Sequence, residues 1–206
     1  MTELAERPGR GERADAARNR RRILEAAEEQ FAARGPEQVT MEDIARAAGV
    51  GKGTLYRRYP DRASIAVALL DSHEQALQEQ LLRGPPPLGP GAPAAERLAA
   101  FYAAMVQLLE RHGHLVLCAE TGSRRFATGA YGFWRAHVRA LLTQEGGPAQ
   151  APGQLDALVD VLLAPLAPEL YQYQRQGRGR SVPEITAALS GLAHAVLARP
   201  GGREAP

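Results

Sequence analysis

Cysteine is almost absent from this chain of 206 residues: there is one, Cys118. A single thiol excludes an intramolecular disulfide framework and any metal cage built from cysteine alone. Long apolar runs are missing as well, and none approaches the roughly 20 residues that a membrane helix needs. The first ten residues, Met1 to Arg10, have no apolar signal core, so the expected location is the cytosol. Enzyme signatures are also wanting. No glycine-rich phosphate loop follows a strand, and there is no Gly-x-Ser-x-Gly elbow or His-Glu-x-x-His pair. Charge of one sign is scarce: the net charge is only +2, so no global basic field draws in nucleic acid. Lysine is nearly missing, since Lys52 is the only lysine among 25 basic residues. With abundant Ala, Gly and Pro, that points to a GC-rich coding genome. Arginine elsewhere is then a weak functional marker, and the surviving lysine a better one.

What is present is helical periodicity. The chain is 45% hydrophobic, enough to bury a core. Neither strand-like alternation nor an internal repeat is evident, so the expected fold class is all-α, with about nine helices. Thr40 to Arg62 carries the clearest local instructions. Thr40 caps a short helix, and Asp43 completes a capping-box-like Thr-x-x-Asp. Ile44, Ala45 and Ala48 form its apolar edge. Gly49 stands where the chain must leave the helix at positive φ, and Val50 is the expected buried turn residue. A second helix is expected from about Gly51 to Tyr59, stopped by Pro60, and Asp61 can cap the next. Such a pair is a helix-turn-helix, whose second helix enters the DNA major groove. Lys52, Thr54, Tyr56, Arg57, Arg58 and Arg62 face outward with no carboxylate before Asp61, a donor surface suited to phosphates and base edges.

The run Val50-Gly-Lys-Gly-Thr-Leu-Tyr-Arg-Arg-Tyr-Pro-Asp-Arg resembles the signature of tetracycline-repressor-like (TetR family) regulators. The preceding helix, Ile23-Leu-Glu-Ala-Ala-Glu-Glu-Gln-Phe-Ala-Ala-Arg-Gly, resembles that family's first. The likeness is close from Arg22 to Leu69 and only architectural beyond. Gly51 stands where Ser or Thr is frequent, Arg58 where His is common, and Tyr59 where Phe is common. The missing side chain at Gly51 removes a cap and a possible DNA contact. By resemblance, Thr40, Tyr56 and Arg62 hold phosphates, while Lys52 and Thr54 reach bases or their adjoining phosphates. The whole expected DNA-binding set is Thr40, Gly51, Lys52, Gly53, Thr54, Tyr56, Arg57, Arg58, Tyr59 and Arg62.

The remaining chain is expected to divide as follows: residues 1–17 a disordered tail, 18–62 the DNA-binding domain, 63–199 a helical regulatory and dimerisation domain, and 200–206 a tail. Arg18, Arg20, Arg21 and Arg22 either track phosphates as an arm or form a solvated first turn. Ile65, Ala66, Leu69 and Leu70 belong to a connecting helix that continues past Leu81. The run of Gly and Pro after Arg83 is the strongest breaker in the chain. A stripe of Leu98, Phe101, Tyr102, Met105, Leu108, Leu109 and His112 follows, with a helix break expected at Gly113 and a short apolar piece from Leu115 to Ala119. Phe126 to Leu141 gives another stripe. Leu155 to Gln176 contains Pro165 and Pro168 and should be kinked. Ser181 and Glu184 form a capping box for the last helix.

His112, His114, Cys118 and Glu120 make the only compact metal-like set, and their spacing fits no standard zinc pattern; neither a metal nor a cofactor is expected. Phe101, Tyr102, Met105, Phe133, Trp134 and His137 either fill the core or line a pocket. The resemblance implies an effector cavity in this region. Arg124 and Arg125 can meet an acidic effector or simply sit in a solvated loop.

A lone three-helix reader makes too few contacts for tight specific binding, so such proteins pair to read two half-sites. Leu155, Leu158, Val159 and Leu162 form one stripe and Ile185, Leu189, Leu192 and Val196 another. Small Ala188, Gly191 and Ala195 leave a second face to cover. Two helices from each subunit would then make a twofold four-helix interface, as the resemblance also implies. The favoured reading is a homodimeric repressor released from a palindromic operator by a small-molecule effector. Two alternatives remain: a constitutive DNA-binding dimer without effector, and an all-α metal-dependent enzyme using His112, His114, His137 and Glu120.

Overall fold

The computed structural model describes residues 10–119, 126–144 and 152–197, and every described element is helical. The side chains of His114 and Cys118, together with Glu120, Arg124, Arg125 and the expected C-terminal tail, lie outside what is described. The chain packs as two compact units, Met1–Leu69 and Leu70–Pro206.

In the first unit, α1 (Arg10–Arg34) packs on α2 (Met41–Ala48), which is joined by a four-residue turn region to α3 (Lys52–Arg58). Ile23, Ala27 and Phe31 on α1, Ile44 on α2 and Leu55 on α3 are fully or almost fully buried. Burying each side chain of this size is worth about 1.5–3 kcal/mol, which is what holds such short helices together. Residues 10–17 are helical where a disordered tail was expected, and Arg18 to Arg22 lie on α1 instead of a free arm. Ala-rich sequence and the Asp15–Arg18 pair, three residues apart, favour that extension.

The capping box at Thr40 is complete. The Asp43 amide donates to Thr40 Oγ1 at 3.1 Å, and the Thr40 amide to Asp43 Oδ2 at 3.1 Å. Gly49 leaves α2 at φ 61°, and the Val50 amide donates back to the Ala45 carbonyl at 3.0 Å. This is the left-handed exit that a glycine adopts at least cost. Val50 itself is only half-buried.

The break at Pro60 is followed by α4 (Arg62–Arg83), capped by Asp61, whose Oδ1 accepts from the Ser64 amide at 2.7 Å. The division between the units falls at Leu69 and Leu70, inside this helix. The Gly/Pro run after Arg83 is thus a turn within the second unit, joining α4 to α5. It is tight: a Cβ on Gly89 would lie 1.8 Å from the Gly84 carbonyl oxygen.

The second unit is built round α5 (Ala94–Ala119), which packs against α6 (Gly129–Gln144), α8 (Pro168–Gln172) and α9 (Val182–Leu197), while α7 (Pro152–Leu163) packs on α6. No break occurs at Gly113, and α5 runs through it. A helical glycine costs only about 1 kcal/mol, less than the burial of Leu109, Leu115 and Val116 on either side returns. The expected kink is present: α7 ends at Leu163, a 3₁₀ turn spans Ala164–Leu166, and α8 passes into a π-helical turn over Tyr173–Gly177. Pro165 and Pro168 supply no amide hydrogens to continue a single ladder. Ser181 and Glu184 cap α9 reciprocally, with Ser181 N–H to Glu184 Oε2 at 2.7 Å and Glu184 N–H to Ser181 Oγ at 3.3 Å.

Candidate DNA interface and ligand cavity

The outer face of α3 is a run of donors. Lys52, Tyr56, Arg57 and Arg58 are exposed and Thr54 is half-exposed, whereas Leu55 anchors the helix inward at 0% exposure. Gly51 and Gly53 also lie at the surface, with Gly51 at the N-terminal end of α3 and no side-chain cap. Among the described residues, Arg57 and Arg58 have no carboxylate within ion-pair distance. Lys52 Nζ stands 3.2 Å from Glu42 Oε1. A hydrogen bond from the backbone, followed by Lys52, holds the Glu42 carboxyl below its ordinary value. This pairing across the turn orients the lysine, and a phosphate oxygen or a guanine edge can replace the carboxylate.

Three residues of the expected set have structural tasks that sequence reasoning did not assign. Tyr59 is buried, so its ring belongs to the core of the first unit. The Thr40 hydroxyl is engaged in its cap, donating to Asp43 Oδ2 at 2.8 Å. Those two hydrogen bonds from Thr40, with Arg34 and Arg46 nearby, hold the Asp43 carboxyl below its usual range. Arg62 turns Nη1 onto the carbonyls of Pro36 (2.8 Å), Glu37 (2.7 Å) and Val39 (3.1 Å), fastening the loop ahead of α2. Arg22 is a fourth such residue: Nη2 donates to the Gly49 carbonyl at 3.2 Å, bracing the turn from α1.

In the second unit, the six residues expected at a pocket divide. Phe101 and Tyr102 are fully buried. The Tyr102 hydroxyl donates to the Leu162 carbonyl at 2.9 Å, and desolvation pushes its pKa up. His137 packs on Phe101 with ring centroids 5.3 Å apart. Burial, with Arg97 nearby, lowers its pKa to about 4. Phe133 stands edge-on to Trp134, at 90°. These four are packing residues, and only Met105 and Trp134 line a cavity.

That cavity, of about 510 Å³, opens between α5, α6 and the α7–α8 bend. Its apolar wall includes Met105, Leu108, Leu109, Trp134, Leu163 and Leu166, and its polar edge Glu74, Thr128, Tyr131, Arg135 and Asp160. The size and the mostly apolar lining with a few polar groups suit a small organic molecule. The lining comes from several separate elements, so no local pattern could have announced it.

The stripes expected at a dimer interface are largely covered by the subunit itself. Val159, Leu162, Ile185 and Leu189 are buried, and Leu155, Leu158, Leu192 and Val196 pack against the same core. What α9 leaves outside is the line of Ala188, Gly191 and Ala195. Val161, Leu170 and Tyr173 are the large apolar residues exposed nearby in the chain. As for metal-like sets, His112 stacks on His73 with centroids 3.8 Å apart, not on the neighbours expected from sequence.

A capped three-helix reader whose second motif helix presents donors defines the helix-turn-helix class of DNA-binding proteins. Residues 23–69 match the family of bacterial regulatory proteins named tetR. The regulator TtgR of Pseudomonas putida is 44% identical over 61 residues, 29% of either chain. The chain spans less than a third of the length of the curated relatives it matches. Solved structures extend the likeness in fold. NalD of Pseudomonas aeruginosa, described as the secondary repressor of the MexAB-OprM multidrug efflux pump, superposes with a TM-score of 0.55 at 20% identity, over 91% of this chain and 99% of that one. FadR of Bacillus subtilis, solved with stearoyl-CoA, gives a TM-score of 0.64 at 16% identity, over 84% and 96%. The chain belongs to the tetR family of bacterial regulators, by sequence in its first unit and by fold throughout. No helix among the described residues is long and apolar enough to cross a membrane.

Proposed function

We propose that the protein is a transcriptional repressor that binds a palindromic operator as a homodimer and leaves it when a small organic effector occupies the cavity. The observation that carries this reading is the exposed donor face of α3, free of carboxylates and held on a capped, braced turn. Lys52 and Thr54 read bases or their adjoining phosphates. Tyr56, Arg57 and Arg58 hold the backbone, with Thr40, Gly51, Gly53 and Arg62 at its margin. The cavity at Met105 and Trp134 supports effector control, as does the description of NalD as a repressor and of FadR in complex with a ligand. A ligand releases DNA only if it binds the non-DNA-binding arrangement more tightly. Helix α4 offers the covalent route for that coupling. The dimer forms through α7 and α9, and the protein acts in the cytosol.

Selection of bound sites from random DNA tests the reading. The expected product is an inverted repeat, released from the full-length protein by members of a small-molecule library. Recovery of no enriched sequence, or of a single unpaired half-site, would refute it.

A further inference from the structure

Resting on the reading that the cavity takes an effector, we propose that the effector is an uncharged, ring-bearing amphiphile and that the Arg135–Asp160 ion pair sets this selectivity. Arg135 is the only cationic residue of the lining. Its Nε lies 2.8 Å from Asp160 Oδ1, its Nη2 is 3.4 Å from Oδ2, and Asp156 adds a second carboxylate at 4.0 Å. The Tyr131 hydroxyl donates to the same Asp160 at 3.4 Å. The guanidinium that would receive an anionic group is therefore already neutralised by two acids.

An incoming carboxylate, sulfonate or phosphate must displace Asp160 or stay unpaired against an apolar wall, and an unpaired buried charge is strongly unfavourable. A neutral hydroxyl or carbonyl meets no such barrier. Asp160 keeps acceptor lone pairs and Arg135 keeps further N–H donors, so such a group adds to the pair without breaking it. The rest of the wall favours flat rings. Trp134 lies in it, and Phe126 meets Tyr131 edge-on at 5.0 Å, leaving aromatic surface on which another ring stacks or sits edge-on.

Two probes with the same rings separate the alternatives: uncharged N-phenyl-1-naphthylamine and its sulfonated analogue, 8-anilinonaphthalene-1-sulfonate. Trp134 is the only tryptophan in the chain, so quenching of its emission locates either probe in the cavity. In the full-length protein the uncharged probe is expected to bind at least tenfold more tightly. The neutral probe is also the more hydrophobic, so the decisive readings are the variants. Asp160→Asn frees the guanidinium and should tighten the sulfonate at least fivefold while leaving the neutral probe within twofold. Arg135→Gln leaves Asp160 uncompensated and should weaken the sulfonate further. Circular dichroism confirms that each variant is folded. A wild type that prefers the sulfonate, or prefers the cationic dye rhodamine 6G, overturns the proposal, as does a sulfonate affinity unmoved in both variants. If no probe quenches Trp134, the effector reading of the cavity itself falls, which is a different failure.

Discussion

Lys52 and Arg62 carry the same charge on neighbouring helices, yet their surroundings assign them different work. Lys52 is exposed and held only by Glu42, so its ammonium is available to a base edge or phosphate. Replacing it with alanine should cost about 1–3 kcal/mol on the best operator and less on unrelated DNA. Tyr56→Phe removes only a hydroxyl, so it should weaken all sequences by a similar factor. Titration of operator and scrambled duplex at two salt concentrations separates the two, and unchanged affinity in both variants would remove α3 as the reading surface. Arg62 has three carbonyl partners within its own unit. Arg62→Ala leaves those carbonyls to solvent and should destabilise the fold by about 1–3 kcal/mol, the range for hydrogen bonds to a charged group. A denaturant titration in the absence of DNA reads that loss. An unchanged midpoint would return Arg62 to a phosphate-binding role alone. The donor pattern was legible in the sequence because it is local. Arg62's partners lie 23–26 residues away, so its clamp was not.

Elements whose ends are coded by their own neighbours were equally legible. Thr40 with Asp43, Gly49, Asp61 with Ser64, and Ser181 with Glu184 all act within a few residues, and the helices start or stop at each. Where a boundary depended on distant packing, the sequence misled. Gly113 suggested a break, but the buried residues flanking it carry α5 straight through. The cavity was illegible for the same reason: the aromatic spacing on α5 could not tell a packed Phe101 from a lining Met105. A further long-range contact fixes α5 to the bend after α8. Arg175 donates to both Glu110 oxygens, at 3.0 and 2.7 Å, and the Tyr171 hydroxyl donates to the same carboxylate. Arg175, then Tyr171, hold the Glu110 carboxyl at about 2, below its ordinary 4.5. A depressed carboxylate stabilises the fold fully above its unfolded value and progressively less as pH falls towards the folded one. The thermal midpoint of wild type should therefore exceed that of Glu110→Gln most at neutral pH. The gap should close between about pH 4.5 and 2. A gap that is constant over that range would mean that the carboxylate's charge contributes nothing to the latch.

At the scale of the whole molecule, the issue is what covers the outer face of α9. Ile185, Leu189, Ala193 and Leu197 are buried within their own subunit, so the apolar stripe read from sequence is mostly internal. Leu192 packs partly on that core too, and a charge placed there would damage the monomer as well as any dimer. The line Ala188, Gly191 and Ala195 is different. It is exposed, carries no charge and recurs at helical spacing, so a second helix can approach it closely. A twofold axis crossing this line sets α9 against its copy and brings Val161 of α7, 65% exposed, towards cover. Gly191 gives the clean test, because a Cβ built there meets nothing within 4 Å. Gly191→Arg should leave the isolated chain folded and its helix slightly more stable, since arginine exceeds glycine in helix propensity by under about 1 kcal/mol. At the proposed interface the same side chain places two guanidinium groups against each other across the axis. Sedimentation at micromolar concentration should find wild type as a dimer and the variant as a monomer with unchanged helical circular dichroism. That monomer should bind the two-half-site operator no better than a single half-site. A wild-type monomer would defeat the dimer outright, and a variant that remains dimeric would move the interface away from α9.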